Sequence, residues 1–234
     1  MSKLAKSGKS VKPSVTATTR AATPVHAAGD EFCSAVIAND LAKVKKMIRG
    51  GVNINKKNDA GFTPLFLASF YGCLEVLKYL LRQDEIEVNA VNKGDKDTAL
   101  HAAVTKSNAI GRYKIVENLI GYSGSSFKIK DAFGKTPLHY AVHHLDPSCI
   151  DSLKILNLVA ATSDDVDARD GEGNTALHYA AYKGSIAAII TLLFHGARLS
   201  IKNKKGQTPV DLAEVDSVKD AFTVWKVINS YYNS

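Results

Sequence analysis

The chain has 234 residues, of which 45% are apolar and 23% are charged, and its net charge is +7. These fractions are typical of a water-soluble globular protein, and no stretch approaches the ~18 apolar residues that a membrane-spanning helix needs. The three cysteines, Cys33, Cys73 and Cys149, are odd in number and far apart. That spacing argues against a disulfide framework or a zinc site and favours a reducing compartment.

The N-terminal segment accounts for most of the charge. Residues 1–29 contain five basic residues and no acidic residue, so they carry +5 of the total of +7. They are rich in Lys, Ser, Thr, Ala and Pro and contain few large apolar side chains. Such a segment cannot bury enough surface to offset the entropy of ordering it, so we predict a disordered basic tail. A mitochondrial presequence has a similar composition and is an alternative.

Beyond the tail, one pattern recurs along the chain. Its most regular copy is GKTPLHYA at residues 134–141, and looser copies place a threonine at positions 63, 98, 175 and 208. A threonine accepts a hydrogen bond from an early backbone N–H of a helix, and a proline fits the first helical position because its missing N–H would be unpaired there. The preceding glycine tolerates the positive φ of a tight turn. Each copy is therefore predicted to begin a helix.

The spacing of these copies and their opening motif resemble those of a known repeat family. A period near 33 residues that opens on T-P-L-H-x-A resembles the ankyrin repeat. The resemblance covers residues 30–234 and implies an all-α solenoid of about six helix-turn-helix repeats with β-hairpin fingers between them. On this basis we expect an N-terminal cap repeat at residues 30–57, four internal repeats at residues 58–202 and a C-terminal cap repeat at residues 203–234.

The resemblance also assigns a structural role to the histidine of the pattern. His101, His139 and His178 lie where ankyrin repeats use an imidazole to hydrogen-bond the turn backbone between neighbouring repeats. One histidine in each of several separate modules, without a nearby carboxylate or thiol, is a poor arrangement for a metal site or a catalytic base. We therefore predict that all three are structural.

The third and fourth repeats depart from the regular length. Residues 107–110 and 145–150 are predicted insertions, which map to loops in a repeat architecture. Asn89 follows Leu81 and Glu87 with the spacing that asparaginyl hydroxylases accept in ankyrin repeats. The family also uses this asparagine to hold its hairpin turn, and we predict that structural role for Asn89.

No motif of an enzyme is recognised. The sequence has no Gly-rich phosphate loop after a strand, no H-E-x-x-H metal motif and no G-x-S-x-G nucleophile elbow. His143 and His144 lie near Cys149 in the sequence, but adjacency in sequence does not place a nucleophile beside a base in space. We therefore expect no enzymatic activity, no cofactor, no metal and no small-molecule substrate.

In ankyrin repeats the finger tips and the last residues of the inner helices are open to a partner on a concave face. The resemblance therefore implies that a protein partner binds through the corresponding residues: Phe62, Phe70, Tyr71, Asp95, Asp97, Phe133, Lys135, His143, His144, Glu172, Tyr182, Lys183, Lys204 and Lys205. The aromatic members have no evident core role, although packing between repeats is an equal alternative for Tyr182, and exposed aromatics dominate interface energetics. The acids concentrate in the second and third fingers and the lysines in the last, which favours a partner with a basic segment at the middle and an acidic one at the C-terminal end.

Two other functions are open from the sequence alone. A nucleic-acid or ribonucleoprotein-associated protein would use the basic tail to bind backbone phosphates, and its affinity would depend steeply on salt concentration. A structural spacer in a larger assembly would use only the length of the solenoid. We expect a cytoplasmic protein that is a monomer outside its complex. The alternative locations are nuclear or, if residues 1–29 are a presequence, mitochondrial.

Overall fold

The computed structural model describes residues 31–105 and 111–232, without the side chains of residues 226 and 228–232. Within these ranges the α-helices are α1 (Glu31–Ile37), α2 (Leu41–Arg49), α3 (Pro64–Tyr71), α4 (Leu74–Leu80), α5 (Ala99–Thr105), α6 (Arg112–Ile120), α7 (Pro137–His143), α8 (Ile150–Thr162), α9 (Ala176–Tyr182), α10 (Ile186–Phe194) and α11 (Asp216–Tyr232). A short 3-10 helix, Val210–Leu212, precedes α11. The predicted disordered tail and the insertion at residues 107–110 lie outside the described residues.

The helices pair along the chain, and the pairs stack side by side. The first helices form an inner row, in which α3 packs against α1 and α5, and α7 packs against α5 and α9. The second helices form an outer row, in which α6 packs against α4 and α8. In the last unit the 3-10 helix packs against α9, where earlier units place an inner helix. This arrangement is the predicted all-α solenoid.

The apolar core lies between the two rows and runs through all units. It extends from Phe32 in α1 to Phe222 in α11, both of which are buried. Leu138 and Ala141 of the most regular copy are buried on the same face of α7, as their spacing predicts. Trp225 is half-buried and packs against it.

The helix ends follow the local signals of the sequence. The N–H of Phe66 donates to Oγ1 of Thr63 at 3.2 Å, and Pro64 occupies the first position of α3. Gly72 ends the same helix in the left-handed conformation, with a φ of 77°. These contacts and conformations satisfy backbone groups that a helix leaves unpaired at its ends.

The fingers are tight turns, and the predicted β-hairpins are not confirmed, because no strand occurs in residues 31–105 and 111–232. In the fourth repeat the N–H of Asp131 donates to the carbonyl of Lys135 at 2.9 Å. The Oδ1 atom of Asp131 accepts from the N–H groups of Phe133 and Lys135. Neighbouring fingers are joined where the N–H of Gly171 donates to the carbonyl of Phe133 at 2.8 Å. Gly134 has a φ of 78°, and a Cβ there would lie 2.7 Å from the nitrogen of Gly171, so the turn requires glycine.

Two other predicted features have local explanations. Asn89 accepts at Oδ1 from the N–H of Ser126 at 3.0 Å and donates from Nδ2 to the carbonyl of Gly124 at 2.7 Å. Asn55 makes the equivalent pair of bonds one repeat earlier. Because each asparagine links its own loop to the loop of the next repeat, the structural role of Asn89 is confirmed. The insertion at residues 145–150 forms a turn that leads directly into α8.

Candidate interaction surface

The inner-row helices and the fingers form one face of the stack, called here the inner face, and three histidines are buried below it. Nδ1 of His139 accepts from the N–H of Thr136 at 3.1 Å, and its Nε2 lies 3.1 Å from the carbonyl of Asn174 in the next finger. His101 and His178 make the equivalent contacts in their repeats. Because Nδ1 accepts, the neutral ring carries its proton on Nε2 and donates it to that carbonyl. The predicted role of the three histidines is confirmed.

The environment of these histidines keeps them neutral. Burial lowers the pKa of all three imidazoles, to about 4 for His101. Burial disfavours the charged form of a base, and protonation of Nδ1 would turn an acceptor into a donor that faces an N–H. With both ring nitrogens engaged in fixed hydrogen bonds, the rings hold neighbouring fingers together.

The second repeat carries an aromatic cluster, formed by Phe62, Phe66, Phe70 and Tyr71. Phe66 lies at the position that histidine occupies in the three following repeats. The ring centroids of Phe62 and Phe66 are 4.7 Å apart and those of Phe66 and Phe70 are 6.3 Å apart, both stacked, and Tyr71 meets Phe70 edge-on at 5.2 Å. The buried part of the cluster packs on Ala102 of α5, separately from the main core. Ring stacking thus takes the place of the histidine contact in this repeat.

Two residues predicted to be open to a partner are buried instead. The exposed fraction is 7% for Phe70 and 4% for Asp97. Phe70 lies one helical turn after Phe66, so the two rings share one face of α3 and cover each other. The hydroxyl of Tyr71 is also buried, and this burial raises the pKa of the phenol. The expectation that these aromatics have no packing role is therefore wrong, and burial of Asp97 leaves Asp95 as the accessible acid of the third finger.

The fourth and fifth repeats bring a second set of side chains together, called here the Lys–Tyr–His cluster: Lys135, Tyr140, His143, Tyr179 and Lys183. Nζ of Lys135 lies 5.3 Å from the ring centroid of Tyr179 and 5.9 Å from that of Tyr140. The ring of His143 meets Tyr179 edge-on at 6.4 Å, and Nζ of Lys183 donates to the carbonyl of His143 at 2.5 Å. An ammonium over an aromatic face is attracted by the ring quadrupole. Three predicted site residues are therefore assembled around two tyrosines.

The two tyrosines are held in place by carboxylates of the fingers. The hydroxyl of Tyr140 donates to Oδ2 of Asp131 at 2.6 Å, and that of Tyr179 donates to Oδ2 of Asp170 at 2.6 Å. Burial, followed by the bond to Asp170, raises the pKa of Tyr179. The hydroxyl of Tyr179 therefore stays protonated, and the two rings, each bonded to a finger carboxylate, form a fixed platform below Lys135.

The surface of the cluster is electropositive around His143. Burial lowers the pKa of His143, and the charges of Lys183 and Lys135 lower it further. Burial also lowers the pKa of Lys183. A lowered pKa under the influence of two cations indicates a positive field at the imidazole.

The remaining predicted residues lie around these two clusters. Phe133, Glu172, Lys204 and Lys205 are exposed, and Asp95, His144 and Tyr182 are half-buried. The ring of His144 stacks on that of Tyr140. The prediction missed Phe66, Tyr140 and Tyr179. The signal for the tyrosines was the LHY triplet shared by the fourth and fifth copies of the pattern, and the signal for Phe66 was the missing histidine of the second copy.

Three further observations concern the part of the chain that the structure describes. No group of three or more His, Cys, Asp or Glu side chains there could hold a metal ion. No helix in those ranges has the length and apolar character needed to cross a membrane. Cys33, Cys73 and Cys149 carry free thiols.

The stacked helix pairs, the linked fingers and the extended inner face define a helical repeat protein. The family described as "Ankyrin repeats (3 copies)" matches residues 32–131 and 107–203. The probable 26S proteasome regulatory subunit p28 of Saccharomyces cerevisiae is 32% identical over 169 residues, which cover 70% of this chain and 68% of that protein. The chain therefore belongs to the ankyrin repeat family. Such repeats are generally protein–protein interaction modules and are typically non-catalytic.

The chain spans only a small part of the length of several curated relatives that it matches. The E3 ubiquitin-protein ligase Ufd4 of Drosophila melanogaster is 36% identical over 97 residues, which are 42% of this chain and 3% of that protein. Among solved structures, a chain from the complex of a predatory endopeptidase of Bdellovibrio bacteriovorus with an immunity protein has a TM-score of 0.67 and 31% identity, over 83% of this chain and 96% of that chain. An ankyrin repeat domain of Acinetobacter baumannii AYE has a TM-score of 0.71, 20% identity, and coverage of 84% and 96%, and this likeness shows the fold alone.

Proposed function

We propose that the chain is a non-catalytic interaction module that binds a protein partner on its inner face, the concave face predicted from the sequence. The observation that carries the proposal is the composition of that face. Phe133 at one finger tip is 40% exposed, and Lys183, which follows α9, is also exposed. Phe62 and Lys135 in the fingers and Tyr182 at the end of α9 are half-buried. Aromatic residues in such surfaces are enriched among interface hot spots.

The chemistry of the titratable groups supports a non-catalytic role. The buried histidines of the inner-row helices are neutral and engaged at both ring nitrogens. Burial raises the pKa of the Cys73 thiol, whereas a nucleophilic cysteine needs a lowered pKa. The free thiols also support the cytoplasmic location that is part of this proposal.

The relatives support a protein as the class of partner. The yeast relative is named as a proteasome regulatory subunit, and the Bdellovibrio structure is a complex of an endopeptidase with an immunity protein. Both names describe proteins that act in association with other proteins.

The face that binds the partner is tested by site-specific photo-crosslinking. A benzoylphenylalanine replaces either Phe133 on the inner face or Phe194 on the outer helix α10, which is 77% exposed. Both changes substitute one exposed phenylalanine by a larger analogue, so each serves as the control for the other. In cells that naturally express the chain, we expect a specific protein adduct from position 133 and none from position 194. Adducts from position 194 alone would show that the partner binds the outer face.

The captured partner then allows an affinity measurement. Phe133→Ala should weaken binding by ~2 kcal/mol, because truncation of an exposed aromatic anchor removes contact area without opening the core. Isothermal titration calorimetry measures the loss, and circular dichroism checks that helical content is unchanged. Phe70→Ala is unsuitable for this purpose, because burial of Phe70 links any loss of binding to a loss of stability.

A further inference from the structure

Three lysines of the outer helices and the two lysines of the Lys–Tyr–His cluster differ in their pairing. On the outer helices Lys78 pairs with Glu75 at 2.9 Å and Lys114 pairs with Glu117 at 2.9 Å. Lys154 on α8 similarly faces Asp151. Within residues 31–105 and 111–232, neither Lys135 nor Lys183 forms an ion pair with an acidic side chain. Lys135 and Lys183 thus lack the counter-charge that Lys78, Lys114 and Lys154 have.

The acids closest to the cluster already serve the fingers. Asp170 accepts at Oδ1 from the N–H groups of Glu172 and Asn174 and at Oδ2 from the hydroxyl of Tyr179. Asp131 makes the same three kinds of bond in the preceding finger. Both carboxylates are buried and bind the far end of the tyrosine rings. These carboxylates fix the rings of Tyr140 and Tyr179 from the hydroxyl end. Lys135 lies over the faces of the two rings, and His143 contacts the ring of Tyr179 edge-on.

We infer that the Lys–Tyr–His cluster binds an acidic side chain, Asp or Glu, of the protein partner, an inference that rests on the proposed function. The carboxylate would lie between Nζ of Lys135 and the imidazole of His143, both of which contact Tyr179. Hydrogen bonds between a cation and a carboxylate are about twice as strong as those between neutral groups. A carboxylate there would also offset the repulsion by which the two lysines lower the pKa of His143.

The flanking charges favour a protein acid over a nucleic acid. The finger before Lys135 presents Asp95, which is half-buried, and the finger after it presents Glu172, which is exposed. A nucleic-acid strand carries a phosphate at every nucleotide and would meet these acids on either side of the cluster. A single aspartate or glutamate side chain places its charge at the lysines alone. We therefore argue for a protein acid, and the test below includes nucleic-acid binding as the competing result.

The test selects binders from a random-peptide phage library against the full chain and compares three proteins. These are the wild type, the double variant Lys135→Gln/Lys183→Gln, and the matched control Lys154→Gln on the outer helix α8. We expect the wild type and the control to enrich peptides with one invariant Asp or Glu, and the double variant to lose this enrichment. Thermal unfolding followed by circular dichroism confirms that all three proteins are folded.

A selected peptide and its counterpart with the acid changed to the amide give the quantitative measurement. By fluorescence polarisation, the amide should bind the wild type about tenfold more weakly, and the two peptides should bind the double variant alike. The photo-crosslinker at position 133 verifies that the peptide lies on the inner face.

Any other result would refute either the acid site or the proposed function. Peptides that crosslink from position 133 but show no acid preference refute the acid site and leave the proposed function intact. Peptides that crosslink only from position 194 contradict the proposed function itself. If single-stranded oligothymidine displaces the acidic peptide from the wild type, with steep salt dependence, and fails to bind the double variant, the cluster is a phosphate site and the inference is wrong.

Discussion

Acidification should destabilise the folded chain through its buried histidines. His101 has a pKa of about 4 in the folded state, against 6.5 for an exposed imidazole. Between these values the unfolded chain binds a proton at residue 101 that the folded chain does not bind. The stability that depends on the neutral ring is therefore fully present above pH 6.5 and is lost as the pH falls toward 4.

The size of the effect follows from the width of this window. Each pH unit is worth about 1.4 kcal/mol for one proton, so His101 alone accounts for about 3 kcal/mol between the two pKa values. His139 and His178 also have lowered pKa values, so they act in the same direction. The free energy of unfolding should fall most steeply midway between the folded and unfolded pKa values, where the unfolded imidazole is protonated and the folded one is not.

The assay is urea denaturation, followed by far-UV circular dichroism, at about pH 7.5 and about pH 5. The comparison variant is His101→Phe, which introduces the residue that the second repeat already has at this position, Phe66. The variant and the wild type share all carboxylates. The difference between the slopes of their free energies of unfolding against pH therefore reports the imidazole of His101 alone. Equal slopes would show that residue 101 binds its proton equally in the folded and the unfolded chain and would refute the argument.

The remaining predictions concern packing, the finger turns and the tail. Leu138→Ala should cost ~2–5 kcal/mol in urea denaturation, because it opens a cavity between stacked repeats, and a loss under about 0.5 kcal/mol would mean that the register of this repeat is wrong. Gly134→Ala should lower the melting temperature more than Gly206→Ala, since both have positive φ but only at Gly134 would the new Cβ meet the backbone of Gly171. Deletion of residues 1–29 should leave the melting temperature unchanged, and a clear decrease would show that this segment packs on the repeats.

The sequence by itself determined where the inner helices α3, α5, α7 and α9 begin and which local contacts start them. The threonine, proline and glycine of the pattern act through backbone groups within about four residues, so their effect does not depend on the rest of the fold. The roles of His139 and Leu138 follow from the same local register. These parts of the fold were predictable, and the structure confirms them.

The β-hairpins that we predicted between the repeats are not confirmed in residues 31–105 and 111–232, and local signals alone could not decide this point. A strand needs a ladder of hydrogen bonds to a neighbour, whereas Asp131 closes its finger with its own carboxylate and one backbone bond. The side chain of a finger residue therefore competes with the ladder. The result is a row of turns linked by single backbone bonds such as that from Gly171 to Phe133.

The tertiary structure alone decided which members of the predicted surface are accessible. Phe62 and Lys135 occupy the same position of the pattern, immediately before the threonine, yet Phe62 stacks on Phe66 of its own repeat and Lys135 lies over Tyr179 of the next one. Phe70 and His143 are also equivalent, but only Phe70 is buried. The position of a side chain in a repeat sets its direction, whereas its exposure and charge environment depend on the side chains that the neighbouring repeat places beside it.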